Sequence, residues 1–193
     1  MRKIENKYEN PIDNVLYDLC ERVSPYFKYW NWTPNHITMM RLLLSTIAII
    51  LIMNNNFIGG TVLYFVSYFF DCLDGHMARK YKMYSKFGDI FDHIVDLFVN
   101  VTVVVLVLLK IKNNRIRILY VVCVLVLLIL LHISTGCQEK IWDDNKENKE
   151  DEYLSFIKKM CYRKEWVKWT RFFGSGTFVT AVTISILLLK CQK

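Results

Sequence analysis

The stretch "DCLDGHMARKYKMYSKFGDIFDHIVD", Asp71–Asp96, holds five aspartates. The segments on either side, "GGTVLYFVSYFF" (59–70) and "LFVNVTVVVLVLL" (97–109), have the composition of lipid-spanning helices. Carboxylates are costly in such helices. Their spacing therefore decides how the chain is read.

Working outward, the 193-residue chain combines 53% hydrophobic residues with 22% charged ones. The two classes are segregated: long apolar runs alternate with dense charged runs, the signature of a polytopic membrane protein. The fold class expected is all-α, a membrane helical bundle of five to six spans. The spans are read at about 37–53, 60–78, 87–109, 118–133 and 172–189, each near the ~20 residues that cross roughly 30 Å of hydrocarbon. The formal charge of +7 then bears on topology and attraction to anionic lipid. No soluble basic domain remains once the spans are removed, so nucleic acid is not an expected partner.

Residues 12–24 read as an amphipathic interfacial helix, with Ile12, Val15, Leu16, Leu19 and Val23 at helical spacing. Pro25 is expected to end or kink it, and Trp30 and Trp32 to anchor the chain at headgroup level. The division expected is a juxtamembrane segment, 1–36, and a transmembrane domain, 37–193, with a charged loop at about 138–165. The first 35 residues have no early apolar core, so no signal peptide is expected. The basic residues place the N-terminus, the 79–86 loop and the 138–171 region in the cytoplasm. Lys110, Lys112, Arg115 and Arg117 then fall on the far side, against the same rule. The six cysteines show no ligand spacing, and no chemistry is assigned to them.

On the second span Asp71, Asp74, Gly75 and Ala78 share one helical face. On the third, Gly88, Asp92 and Asp96 do the same. Asp89 lies beside that face and reads as a first-turn carboxylate. The loop centres near Met83, so in an antiparallel hairpin Asp74 is level with Asp92, and Asp71 with Asp96. They lie roughly 6–14 Å below the loop ends. Four unpaired aspartates there would cost on the order of 10 kcal/mol, and packing returns none of it. They call for cations. All-oxygen donors without cysteine or paired histidine fit Mg²⁺, Mn²⁺ or Ca²⁺ rather than Zn²⁺, and the charge suits two divalent ions. Gly75, Ala78 and Gly88 allow close helix packing or close ligand approach. Arg79, one turn from the acids, is either an interface anchor or a phosphate clamp. Together these features suggest a pyrophosphate-containing substrate with its lipid part in the bilayer.

The stretch has the form D-x2-D-G-x2-A-R-x8-G-x3-D-x3-D, and in this it resembles the CDP-alcohol phosphatidyltransferase family at all eight fixed positions. "TPNHITMMR" (Thr33–Arg41) is similar to that family's P-N-x-x-T-x-x-R approach to its first span. The resemblance implies an integral membrane enzyme of phospholipid synthesis. It would move a phosphatidyl or phosphoalcohol group from a CDP-linked donor, with CDP-diacylglycerol favoured, to an alcohol acceptor and release CMP. Asp71, Asp74, Asp92 and Asp96 would hold two ions, Mg²⁺ or Mn²⁺. Asp96 would also be the catalytic base. Pro34, Asn35, Gly75, Arg79 and Ser85 would contact the CDP part. The partners implied are the CDP-linked donor, the alcohol acceptor, membrane lipids and a second copy in a homodimer, with the active site on the cytoplasmic side.

The family has six spans where five are counted here. "FGDIFDHIVD" resembles the choline and ethanolamine phosphotransferase form, and "DGHMAR" the phosphatidylinositol synthase branch. The "DP" of glycerophosphate-type enzymes is replaced by Asp92–His93. His76 and His93 read as packing or interface residues. Arg171 in "WTRFFGSGT" reads as an interface anchor or an acceptor contact. A non-catalytic cation-binding protein or transporter is the other class, and the confinement of the acids to one hairpin favours an enzyme.

Overall fold

The computed structural model describes residues 4–143 and 158–192. Every regular element among them is helical: α1 (Pro11–Tyr29), α2 (Pro34–Met53), α3 (Phe57–Lys80), α4 (Lys86–Lys110), α5 (Asn114–Asp143), the short α6 (Val167–Thr170) and α7 (Ser175–Leu189). Among the described residues, five segments are long and apolar enough to cross a membrane: Pro34–Met53, Phe57–Lys80, Lys86–Lys110, Asn114–Ile141 and Val167–Gln192. The all-α polytopic class and five spans therefore stand. The fourth span is longer than read from hydropathy: its helix runs on through Lys140 into the charged stretch. Residues 144–157, in the middle of the expected charged loop, lie outside the described residues.

The residues form two compact units, 16–119 with 179–193, and 2–15 with 120–178. In the first unit the turns follow from side-chain chemistry. Thr33 caps α2 through a capping box with His36, and Pro34 follows in the first turn, where its missing N–H costs nothing. "NNN" divides the work of one helix-to-helix turn. Asn54 ends α2, Asn55 takes the left-handed conformation, and Asn56 accepts the Gly59 N–H at 3.1 Å to start α3. Lys110 at the end of α4 ties to this turn through Asn55 Oδ1 at 2.7 Å. Ser85 starts α4 by accepting the Gly88 N–H at 3.0 Å.

α2 packs against both α3 and α4. Its buried face is Ile37, Thr38, Arg41, Ser45, Ala48, Ile49 and Ile52. α4 offers one stripe, Val95, Val99, Val103 and Val107, at four-residue spacing. Tyr64 on α3 donates its hydroxyl to Asn100 on α4 at 2.8 Å, which satisfies both groups away from water.

Pro25 does not end α1; the helix continues four residues past it. It stops where Asn31 adopts a φ of 56° and Trp32 N–H returns to Phe27 O at 2.9 Å. Glu21 on α1 lies against α3, paired with Lys80 and 3.1 Å from His76 Nε2. The hydrogen bond from Lys80 holds the Glu21 carboxyl below its ordinary range. Burial pushes the Cys20 thiol, one residue earlier, up to about 12, so it stays protonated.

In the second unit Cys137 and Cys161 form a disulfide. This corrects the reading that assigned the cysteines no chemistry. With Val167 they make a small core flanked by Tyr8, Ile133 and Ile141. The "GSG" segment closes against the residues that begin α1. Asn10 Nδ2 donates to Arg171 O and Thr177 Oγ1, each at 2.8 Å, and Asp13 Oδ2 accepts the Gly176 N–H at 3.3 Å. Arg171 Nη1 donates to Lys7 O at 2.6 Å, and its side chain helps line a cleft with Lys7, Tyr8 and Lys168.

Gly60 marks the closest approach of α3 to α2. A Cβ there would lie 2.5 Å from Ile52 Cγ1 and 3.2 Å from the Ala48 carbonyl. Gly60→Leu is expected to cost about 1–3 kcal/mol through overpacking, read as a lower midpoint in thermal unfolding of the detergent-solubilised protein.

Candidate active site

α3 and α4 carry the acids where the sequence puts them, and α2 sets what lies between. One carboxylate oxygen each from Asp71, Asp74 and Asp92 falls within 4.8 Å of the others. Asp74 is buried, and its Oδ2 accepts the Thr38 hydroxyl of α2 at 2.7 Å. Arg41, one turn further along α2, is only 3% exposed and enters the same cluster. Its Nη1 contacts Asp71 Oδ1 and, at 3.0 Å, Asp92 Oδ1, while its Nη2 contacts Asp96 Oδ1. Asp96 thus joins the group through Arg41, not through direct convergence with the other three. Asp89 is exposed in the first turn of α4, as expected, with His93 beside it, also exposed. His76 is buried against Glu21.

The remaining residues singled out by sequence fall into two groups. Asn35, in the first turn of α2, reaches the first turn of α4: a Cβ on Gly88 would lie 2.5 Å from Asn35 Oδ1 and 2.8 Å from Ser85 Oγ. Pro34 precedes it, and its carbonyl lies 3.1 Å from Thr38 Oγ1. Arg79 folds back over Gly75, where a Cβ would lie 3.2 Å from its Nη1. The Arg79 guanidinium also sits 5.7 Å from the centre of the Tyr17 ring on α1, with Nη2 3.5 Å from the Tyr17 hydroxyl.

Electrostatics set what this arrangement can do. Two carboxylates about 4.8 Å apart repel by about 3.5 kcal/mol at an effective dielectric of 20. One guanidinium faces four carboxylates, so further positive charge is needed when all are ionised. The donors are hard oxygens close to one another, which suits a divalent cation of the Mg²⁺ or Mn²⁺ type. Asp71, Asp74 and Asp92 could hold such an ion.

Thr38 and Arg41 were not among the site residues read from sequence. Their signal was present. A lone arginine within an apolar span needs a buried partner, and the three-residue step from Thr38 to Arg41 puts both on the buried face of α2.

A membrane-spanning helical protein with a convergent acidic centre at the end of two helices is the class these features define. The chain belongs to the CDP-alcohol phosphatidyltransferase family, whose profile matches residues 31–190. It is similar to a CDP-diacylglycerol–glycerol-3-phosphate 3-phosphatidyltransferase of Rickettsia typhi, 35% identical over 66 residues, covering 33% of this chain and 37% of the relative. It is also similar to CDP-diacylglycerol–inositol 3-phosphatidyltransferases of Arabidopsis thaliana and Saccharomyces cerevisiae. Each is 34% identical over 76 residues, 39% of this chain, covering 31% and 34% of the relative respectively. The matches thus span about a third of the length of these relatives. No solved structure is significantly similar to the chain.

Thr38→Val keeps the shape of the side chain but leaves a buried Asp74 oxygen without its donor. The expected cost is about 1–3 kcal/mol, measured as a drop in unfolding midpoint in chelator.

Proposed function

We propose that the protein transfers a phosphatidyl group from CDP-diacylglycerol to an alcohol and releases CMP. The convergence of Asp71, Asp74 and Asp92 within the family's own motif carries this reading. The relatives' names support CDP-diacylglycerol as donor over a CDP-alcohol. The likeness of "DGHMAR" to the phosphatidylinositol synthase branch, with the inositol phosphatidyltransferases among the relatives, supports an inositol-like polyol as acceptor.

In the reaction proposed, the acceptor oxygen attacks the phosphorus that bears the diacylglycerol. The bond from that phosphorus to the bridging oxygen breaks, and CMP departs with the electron pair. The acceptor's proton passes to Asp96. Asp71, Asp74, Asp92 and Asp96 would hold the divalent ions, Mg²⁺ or Mn²⁺, which neutralise the pyrophosphate and the leaving group. Asn35, Ser85 and Pro34 form one edge of the CDP pocket. Gly75 and Arg79 form the other, where the guanidinium matches phosphate geometry. A donor held by these groups presents its phosphorus to Asp96 while its acyl chains stay in the bilayer. The basic 79–86 loop supports a cytoplasmic-facing site.

Purified protein given CDP-diacylglycerol, Mg²⁺ or Mn²⁺ and a panel of alcohols should release CMP, with inositol the best acceptor. No CMP with any pair would overturn the reading. Asp96→Asn should lower turnover at least about a hundredfold while donor binding persists; unchanged turnover would remove Asp96 as the base.

Gly88→Ala makes a second, separable test. The atoms its methyl would meet are Asn35 Oδ1 and Ser85 Oγ, and it would displace both from the pocket edge. Ser85 also caps α4, so a small stability loss, about 1 kcal/mol, is expected in the unfolding midpoint. The KM for CDP-diacylglycerol should rise roughly tenfold, the size of one lost hydrogen bond.

A further inference from the structure

We propose that Arg41 is a resident counter-cation of the acidic centre, holding Asp71, Asp92 and Asp96 until a divalent ion exchanges with it. This rests on the metal reading of the same site given above.

Three observations carry it. First, the two sets of ligands overlap. Asp71 and Asp92 belong both to the carboxylate cluster that could hold an ion and to the Arg41 set. Asp74 alone stands outside the Arg41 set, occupied instead by Thr38. An ion seated among Asp71, Asp74 and Asp92 must share two of its three carboxylates with the guanidinium. Two cations drawing on the same carboxylates at such short range compete.

Second, the guanidinium is placed to bridge and not merely to pair. Its forked nitrogens join a carboxylate of α3 to two of α4, which the point charge of a lysine could not do with the same geometry. Its buried Nε has no hydrogen-bond partner. The arrangement is incomplete for a permanent structural pairing, where every buried donor is expected to be satisfied.

Third, the frame that holds the acids does not depend on Arg41. Tyr64 and Asn100 join α3 to α4 at 2.8 Å, deeper along both helices. Gly60 lets α3 approach α2 closely. Removing the guanidinium therefore leaves the acids in position. The loss of a competing charge then outweighs any loss of preorganisation.

Arg41 is a positioning residue in this account, and the test reads metal binding without turnover. Wild type, Arg41→Gln and Arg41→Lys, each in nanodiscs and free of nucleotide, are titrated with Mn²⁺, and free Mn²⁺ is followed by electron paramagnetic resonance. Arg41→Gln should bind Mn²⁺ about tenfold tighter or more, a change of about 1.4 kcal/mol. Arg41→Lys should fall between the two. In chelator Arg41→Gln should unfold at a lower temperature than wild type, and Mn²⁺ should raise its midpoint further than it raises that of wild type. Where Arg41→Gln can be recovered only with Mn²⁺ present, Arg41→Lys supplies the affinity, and tighter binding than wild type supports the exchange. Equal or weaker Mn²⁺ binding by the variants overturns it. Absence of Mn²⁺ binding by wild type and both variants overturns the metal reading itself and the exchange with it, a result distinct from binding that Arg41 does not weaken.

Discussion

Repulsion among carboxylates is the constraint on which the membrane-embedded centre depends. Asp71 and Asp74 on α3 face Asp92 and Asp96 on α4, and bringing these faces together without a cation costs stability. α2 resolves this. It packs against both partners and delivers Arg41 and Thr38 to the acids from one face. The same face continues as Ser45, Ala48 and Ile52, so a single helix supplies the polar contacts at the site and the apolar packing beneath it. A hydroxyl donor for the most buried aspartate and a guanidinium for the others divide the electrostatic load.

The sequence made the acids legible because their cost in lipid has no structural return and their spacing has only one helical reading. Arg41 was visible as the last residue of "TPNHITMMR" and as a charge in an apolar span, but not as a partner of the acids. Its partners lie on two other helices, and one chain direction cannot show which face of α2 turns toward them. For the same reason the expected pairing of Asp71 with Asp96 became a pairing of both with Arg41. Of the two outcomes expected at Pro25, an end or a kink, the helix does not take the first. Cys137 and Cys161 are 24 residues apart, and no spacing rule marks such a pair.

α1 also reaches the active-site end of α3. Glu21 pairs with Lys80, and Tyr17 sets its ring and hydroxyl beside Arg79. Both contacts fall on the last turn of α3, just beyond the acids. Arg79 is thereby held between α1 and Gly75, so the residue proposed to grip the donor's phosphates is positioned by a helix outside the acidic hairpin.

The glycines separate packing from chemistry. Gly60 is required by apolar contact: its missing Cβ leaves room for Ile52 and the Ala48 carbonyl of the neighbouring helix. Gly75 and Gly88 answer to polar neighbours instead. The space at Gly75 is taken by the Arg79 guanidinium, and that at Gly88 by the Asn35 amide and the Ser85 hydroxyl. Small residues in membrane helices are usually read as contacts between helices, and by that rule all three would look alike. What fills the space tells them apart. A glycine whose vacancy holds the tips of polar side chains preserves an arrangement of hydrogen-bonding groups, so a larger residue at Gly75 or Gly88 would disturb that arrangement before it disturbed the packing of the bundle.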